Sequence, residues 1–339
     1  MKEKGIVELA NKAFNEHRRI VAPLCGFPGV EMTGADIKLA QQNFGEHYKA
    51  IKKIVDEFRP DVAFPLMDLS VEANALGRYT VFPKEDSATV PKTRFDMEEI
   101  ERLQEINISF DSRVLGYAET IKLMSVGLPD NVLRGAYVTG PYSVAALIIG
   151  ADEAAMATAL EPDKLHKLCD FVTEKIREYA TLLISAGAEL IVILEPTAVM
   201  LGPKQFLEFS AFYVRHIIES IKYSRVNTVY HTCGNTMHLI EGMVKSGVNG
   251  VSLDSKDMGV DIKAVLEKIP DNVAVIGNIS PCKTMLRGKP HEVEKEVSEL
   301  LEETSKYPNF ILSTGCDMPQ ETPQENIKRF VRVGREYRV

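Results

Sequence analysis

The stretch Thr228-Val229-Tyr230-His231-Thr232-Cys233-Gly234 is a short apolar run that ends in two reactive side chains and a glycine. Bounded this way, it predicts a buried strand. Side chains alternate along a strand, so His231 and Cys233 share one face. Their Cα atoms are then roughly 6.6 Å apart. One zinc ion spans that gap, with bonds of about 2.1 Å to nitrogen and about 2.3 Å to sulfur. Cys316, far downstream in Ser313-Thr314-Gly315-Cys316-Asp317, completes a His-Cys-Cys set. Three protein ligands leave a fourth position for water or substrate, as in catalytic zinc sites. On spacing alone a buried histidine beside a buried cysteine is the competing reading, because cysteine is among the most buried residue types.

Similar runs recur on both sides. They are residues 20–25, 62–67, 135–138, 190–194, 250–253, 273–279 and 310–314. Helical periodicity separates most of them, over residues 35–58, 162–185, 203–222, 237–245, 262–268 and 291–304. Strands that alternate with helices predict parallel βαβ units. Eight such runs predict an α/β fold, a (β/α)8 TIM barrel. The N-terminus adds a helical extension. The stretch from Glu72 to Asn131 fits an insertion after the second run, with a hairpin or lid between Val81 and Arg94. Nothing in between reads as a linker, so one barrel domain over residues 1–339 is expected.

Catalytic groups of this fold stand at the C-terminal ends of the strands. Cys25, Asp68, Glu195, His231, Cys233, Asp254, Asn278 and Cys316 all fall there.

Composition narrows the partners. The 339 residues carry a formal net charge of -8, which argues against nucleic acid or an anionic membrane as a partner. No run reaches the roughly 18 apolar residues of a membrane span. Met1 to Asn11 is charged and helical in pattern and lacks the apolar core of a secretion signal. The five cysteines are sparse and odd in number, unlike a disulfide framework. A cytoplasmic location is expected.

The motifs His231-Thr232-Cys233-Gly234, Gly277-Asn278-Ile279-Ser280-Pro281, Gly140-Pro141-Tyr142 and the late Cys316 resemble the uroporphyrinogen decarboxylase superfamily. More narrowly, they resemble its zinc-dependent corrinoid methyltransferase branch. The resemblance runs from about Arg19 to Val333. It implies that His231, Cys233 and Cys316 bind Zn2+. In that branch a carboxylate downstream of the His-x-Cys pair fills the fourth position, and Asp254 matches it. It further implies a corrinoid (cobalamin) carried by a partner protein, and a small substrate that gives or receives the methyl group. That substrate is a thiol such as coenzyme M as acceptor, or a methylated oxygen or nitrogen compound as donor.

Asp254, Glu195, Asn278 and Tyr142 are the candidates for catalytic or supporting contacts, with Asp68 beside them. A metal-independent decarboxylase is the alternative. The decarboxylases carry an arginine-rich segment after the first strand, however, and no arginine occurs here between Ile20 and Phe58. A polycarboxylate would find little cationic partner there.

The remaining candidates read as structural. Cys169 lies in the helical stripe Leu165, Leu168, Val172 and Ile176 and is expected in the core. Cys25 is expected to line the pocket, and Cys282 to start a helix near the site. His17, His47, His166, His216 and His291 read as surface residues, and His238 as packing. The run from Glu292 to Glu303 reads as a solvated helix face.

Overall fold

The computed structural model describes residues 5–93 and 95–338. Seven strands form one parallel sheet in sequence order: β1 (Val62–Ala63), β2 (Leu133–Thr139), β3 (Leu190–Leu194), β4 (Asn227–Thr232), β5 (Gly250–Leu253), β6 (Ala274–Ile279) and β7 (Phe310–Thr314). The first apolar run is not a regular strand but an isolated parallel bridge, Val21 to Leu312. Its backbone still closes the ring. The Ala22 amide donates to Leu312 at 2.8 Å, and the Asp61 amide donates to Val21 at 2.9 Å on the way into β1. The sheet is therefore the wall of a (β/α)8 barrel, with one of its eight positions reduced to a bridge.

Alternation sets the phase of each strand. Leu190, Val192 and Leu194 of β3, Val229 of β4, Ala274 and Ile276 of β6 and Ile311 of β7 share the inner core. Ile191, Ile193, Tyr230, Val251, Leu253 and Leu312 face the other way, into the layer packed by helices. The inward series of β4 therefore continues from Val229 to His231 and Cys233.

The helical extension is Ile6–Asn15. Its Ile6, Ala10 and Ala13 join the inner core, and the Ile6 amide donates to Asn227 Oδ1 at 2.7 Å, at the first residue of β4. It therefore lies across the N-terminal end of the barrel, opposite the metal-ligand candidates. Arg19, 1% exposed, braces the same end. Its guanidinium donates to the carbonyls of Thr304, Ser305 and Tyr307, at the end of helix Pro290–Glu303, where cations are favoured.

Two expectations are corrected. The pattern over residues 35–58 is two helices, Ile37–Gln42 and Phe44–Phe58. Asn43 breaks it by capping the second, its Oδ1 accepting from the Gly45 and Glu46 amides at 2.9 and 3.1 Å. Phe27–Thr33, Pro141–Ile149, Ala151–Leu160 and Gln324–Glu336 are helices that the periodicity did not reveal. The insertion after β1 holds Val71–Ala75, Glu99–Leu103 and Ser112–Gly127, and Val81 pairs antiparallel with Thr89 in the expected hairpin. Arg94 lies outside the described residues. Among the described residues no single helix is long and apolar enough to cross a membrane.

Candidate metal centre

The register across β4 and β5 pairs His231 directly with Ser252. β4 delivers His231, 1% exposed, to the inner face. The chain then turns at Gly234, whose φ of +83° suits glycine. Cys316 arrives from the other side, two residues past the end of β7.

The three donor atoms form a tight triangle. Cys233 Sγ is 3.3 Å from Cys316 Sγ and 3.4 Å from His231 Nε2, and Cys316 Sγ is 3.8 Å from His231 Nε2. Tetrahedral bonds to zinc separate two sulfurs by about 3.8 Å and a sulfur from a nitrogen by about 3.6 Å. The triangle fits such an ion, and one imidazole with two thiols is a zinc-type donor set. Cys233 and Cys316 are partly exposed, so the face of the triangle is reachable.

Asp254 is outside this group of donors. Its Oδ2 accepts from the Gly234 amide at 2.7 Å and its Oδ1 from the Ser255 amide at 2.6 Å. A Cβ on Gly315 would stand 3.1 Å from that Oδ1. Asp254 therefore fixes the turn after Cys233 and lies close against Gly315, the residue before Cys316. Asn278 supports the same region, donating to the carbonyls of Asp254 at 2.8 Å and Val260 at 3.2 Å.

Glu195 and Tyr142 lie elsewhere. The outward phase of Ile191 and Ile193 carries Glu195 to the helical layer. There its carboxylate accepts from the Tyr142 and Ser143 amides at 3.0 and 2.8 Å and from Ser143 Oγ at 2.7 Å. It thereby caps helix Pro141–Ile149, and burial raises its pKa to about 7. Tyr142 is fully buried, with its hydroxyl unpartnered. Neither reaches the sulfur and nitrogen triangle. Asp68 is saturated: it accepts from Gln41, Ser70, Tyr117 and Arg113.

Among the other candidates, Cys169 is core as expected. Cys25 is also buried, and burial first, then Asp317, pushes its thiol pKa well up. Cys282 starts a helix as expected, as the exposed second residue of the π-helical segment Pro281–Leu286 after β6. His47 is not a surface residue. It is 1% exposed, its Nε2 accepts from the Leu66 amide at 2.8 Å, and burial lowers its pKa to about 3. His238 is exposed rather than packed. Glu296 leaves the solvated run to accept from the Ser280 amide and Thr284.

Two residues near the site were missed by sequence reasoning. Ser252 Oγ stands 3.0 Å from His231 Nδ1. The signal for it was period two on β5, which points Ser252 inward with Asp254. Asp317 follows Cys316 and has both carboxylate oxygens shut from solvent. Burial raises its pKa to about 7, while the nearby Met67, Met318 and Gly26 amides and the His231 ring pull it down. None of those amides reaches it in hydrogen-bonding geometry, and both oxygens stand unpartnered.

Known proteins share this arrangement of the chain. It is 28% identical over 258 residues to the methylcobamide:CoM methyltransferase MtbA of Methanosarcina acetivorans, covering 75% of this chain and 73% of that one. It is 25% identical over 287 residues to a uroporphyrinogen decarboxylase of Prochlorococcus marinus, covering 82% and 80%. A solved methyltransferase from Methanosarcina mazei has the same fold, with a TM-score of 0.86 at 22% identity over 98% of both chains. The sequence profile headed "Uroporphyrinogen decarboxylase (URO-D)" matches residues 31–337. That span takes in all seven strands and the segments that carry His231, Cys233 and Cys316, and the chain belongs to the uroporphyrinogen decarboxylase (URO-D) family.

Proposed function

We propose that this protein is a zinc-dependent methyltransferase. It moves a methyl group between a corrinoid carried by a separate protein and a small substrate activated at zinc. The observation that carries the reading is the triangle of His231 Nε2, Cys233 Sγ and Cys316 Sγ, with sides of 3.3 to 3.8 Å. The activity of the Methanosarcina acetivorans relative, a methylcobamide:CoM methyltransferase, supports it.

His231, Cys233 and Cys316 would hold the ion, and three protein ligands would leave a position for substrate. Zinc bound there supplies Lewis acidity and favours the deprotonated form of a coordinating thiol. The chain's own residues do the rest. Ser252 fixes the ring of His231 from its far side. Asp254 ties the Gly234 turn to the end of β5 and packs close to Gly315, next to Cys316. The barrel presents these groups at the C-terminal ends of its strands, where substrates of this fold bind.

A decarboxylase reading draws on the Prochlorococcus marinus relative. It lacks a cationic cradle, since no arginine occurs between Ile20 and Phe58, and it gives the two thiols no role. Zinc analysis with a cobalamin absorbance assay tests the proposal. About one zinc per chain is expected, lost together with methyl transfer in Cys233→Ala and in Cys316→Ala. Near-stoichiometric zinc in both variants would overturn it.

A further inference from the structure

We infer that the site selects a substrate whose free end is cationic, not anionic. This rests on the metal-centre reading above and adds the class of molecule that the centre takes.

A cavity of about 490 Å³ is lined in part by Asp317 and Met318, which directly follow Cys316 in the chain. Its apolar floor includes Phe27, Met67 and Leu69. Its charged lining is Glu85, Asp86, Asp317 and Glu321. Among the described residues that line it there is no lysine, arginine or histidine. Volume and mixed lining suit a small ligand, and the charge is of one sign.

Asp317 links this cavity to the metal ligands. It follows Cys316 directly in the chain and forms part of the cavity lining. Both its oxygens are buried and lack a hydrogen-bond partner. A buried carboxylate without a partner is costly, and a cationic or N–H-rich group in the cavity supplies the missing one.

The walls are fixed. One is the hairpin, closed by the Val81 and Thr89 amide–carbonyl pair at 2.8 and 3.0 Å and tied down by the Ile37 amide on Lys84 at 3.0 Å. The other is the loop past Cys316, anchored by the Met318 amide on Leu24 at 2.9 Å and by Gln320 on Glu31 at 2.9 Å. Glu31 adds a further carboxylate to that side. A sulfonate or carboxylate in this space would meet repulsion, whereas an ammonium would be drawn in.

Three thiols with the same two-carbon spacer separate the cases: 2-aminoethanethiol, 2-mercaptoethanol and 2-mercaptoethanesulfonate. Each is titrated into the cobalt(II)-substituted protein, and the thiolate-to-cobalt absorption band reports binding. The aminothiol should bind at least about tenfold more tightly than the sulfonate, the ratio expected of one partly screened charge contact. The uncharged thiol should fall between them. Glu85→Gln with Asp86→Asn, placed on the hairpin away from the metal, should shrink that ratio and leave cobalt affinity unchanged. Asp317→Asn should shrink it further.

A sulfonate that binds as tightly as the aminothiol, or a ratio unmoved in both variants, would overturn the inference while leaving the metal centre standing. Failure to bind cobalt would bring down both readings together.

Discussion

The hydroxyl of Ser252 lies 3.0 Å from His231 Nδ1, across a register that pairs the two residues on adjacent parallel strands. Nδ1 is therefore engaged away from the thiols, and Nε2 is the nitrogen that faces Cys233 and Cys316. Groups in this position set the ring's tautomer and orientation, and their loss typically costs 10–100-fold in metal affinity. Ser252→Ala should weaken zinc binding by about that factor, measured by competition with a chromophoric chelator. The hydroxyl is small and the site is 2% exposed, so the fold should survive. Unchanged affinity would mean that packing alone holds the ring.

Gly315 is where Cys316 is aimed. A Cβ there would meet the Ser255 amide nitrogen at 2.5 Å and the Asp254 carbonyl carbon at 2.9 Å. Both are backbone atoms, which cannot swing aside as the end of a flexible side chain can. Gly315→Ala must push the β7 loop away from the β5 loop, taking the sulfur with it. Zinc affinity should fall by at least about tenfold, the effect of a donor displaced from a pre-formed site. Thermal stability of the metal-free protein should fall by about 1–3 kcal/mol, as for overpacking elsewhere. A crystal structure of the variant with Cys316 unmoved would contradict this.

The barrel was legible because its signal is repeated. Apolar runs and helical patterns alternate along the chain, and one weak strand at residues 20–25 does not spoil the count. The pairing of His231 with Cys233 was legible because they sit two apart on a strand whose inward phase is set by Val229. What failed was phase at the strand ends and burial of polar groups. Glu195 follows an all-buried strand, Leu190–Leu194, which shows no alternation to say which way the next residue points. His47 looks like a surface residue because its neighbours Glu46 and Lys49 are charged. Its burial depends on the Leu66 amide, contributed by a distant loop. Asp254 was matched to a ligand position through the resemblance, and the hydrogen bonds it makes, to the Gly234 and Ser255 amides, carry no side-chain signature in the sequence.

Glu72 makes the stability pH-dependent. It is 1% exposed, one oxygen accepts from the Thr139 amide at 2.7 Å, and the other has no partner. Burial raises its pKa from 4.5 to about 7. The folded state therefore holds this proton more tightly than the unfolded chain. Its contribution is full below about pH 4.5 and is lost as pH rises through about 7. Glu72→Gln removes the titration. The variant should gain about 1–3 kcal/mol relative to the parent on going from pH 5 to pH 8, in urea unfolding of the metal-free protein. A parallel pair of pH profiles would show that Glu72 does not titrate differently on folding.

Asp68 stands at a strand end, where catalytic groups of this fold gather, yet its environment is that of a structural anchor. Its side chain is fully buried and pairs with Arg113, whose side chain is 7% exposed. Gln41, Ser70 and Tyr117 also donate to it at 2.6 to 2.9 Å. The Arg113 guanidinium in turn lies 4.7 Å from the Phe82 ring centre, which ties the hairpin to helix Ser112–Gly127 within the insertion. Removing one partner leaves a buried charge without compensation, at a cost of about 3–5 kcal/mol. Arg113→Met should show that loss in urea unfolding. Asp68→Asn combined with Arg113→Met removes both charges and should recover much of it, because the remaining donors still find an amide oxygen. The double variant should also keep its zinc and its methyl transfer, since no atom of the pair belongs to the triangle of donors. If it refolds with full zinc but no transfer, Asp68 acts on the substrate after all and the anchor role is wrong.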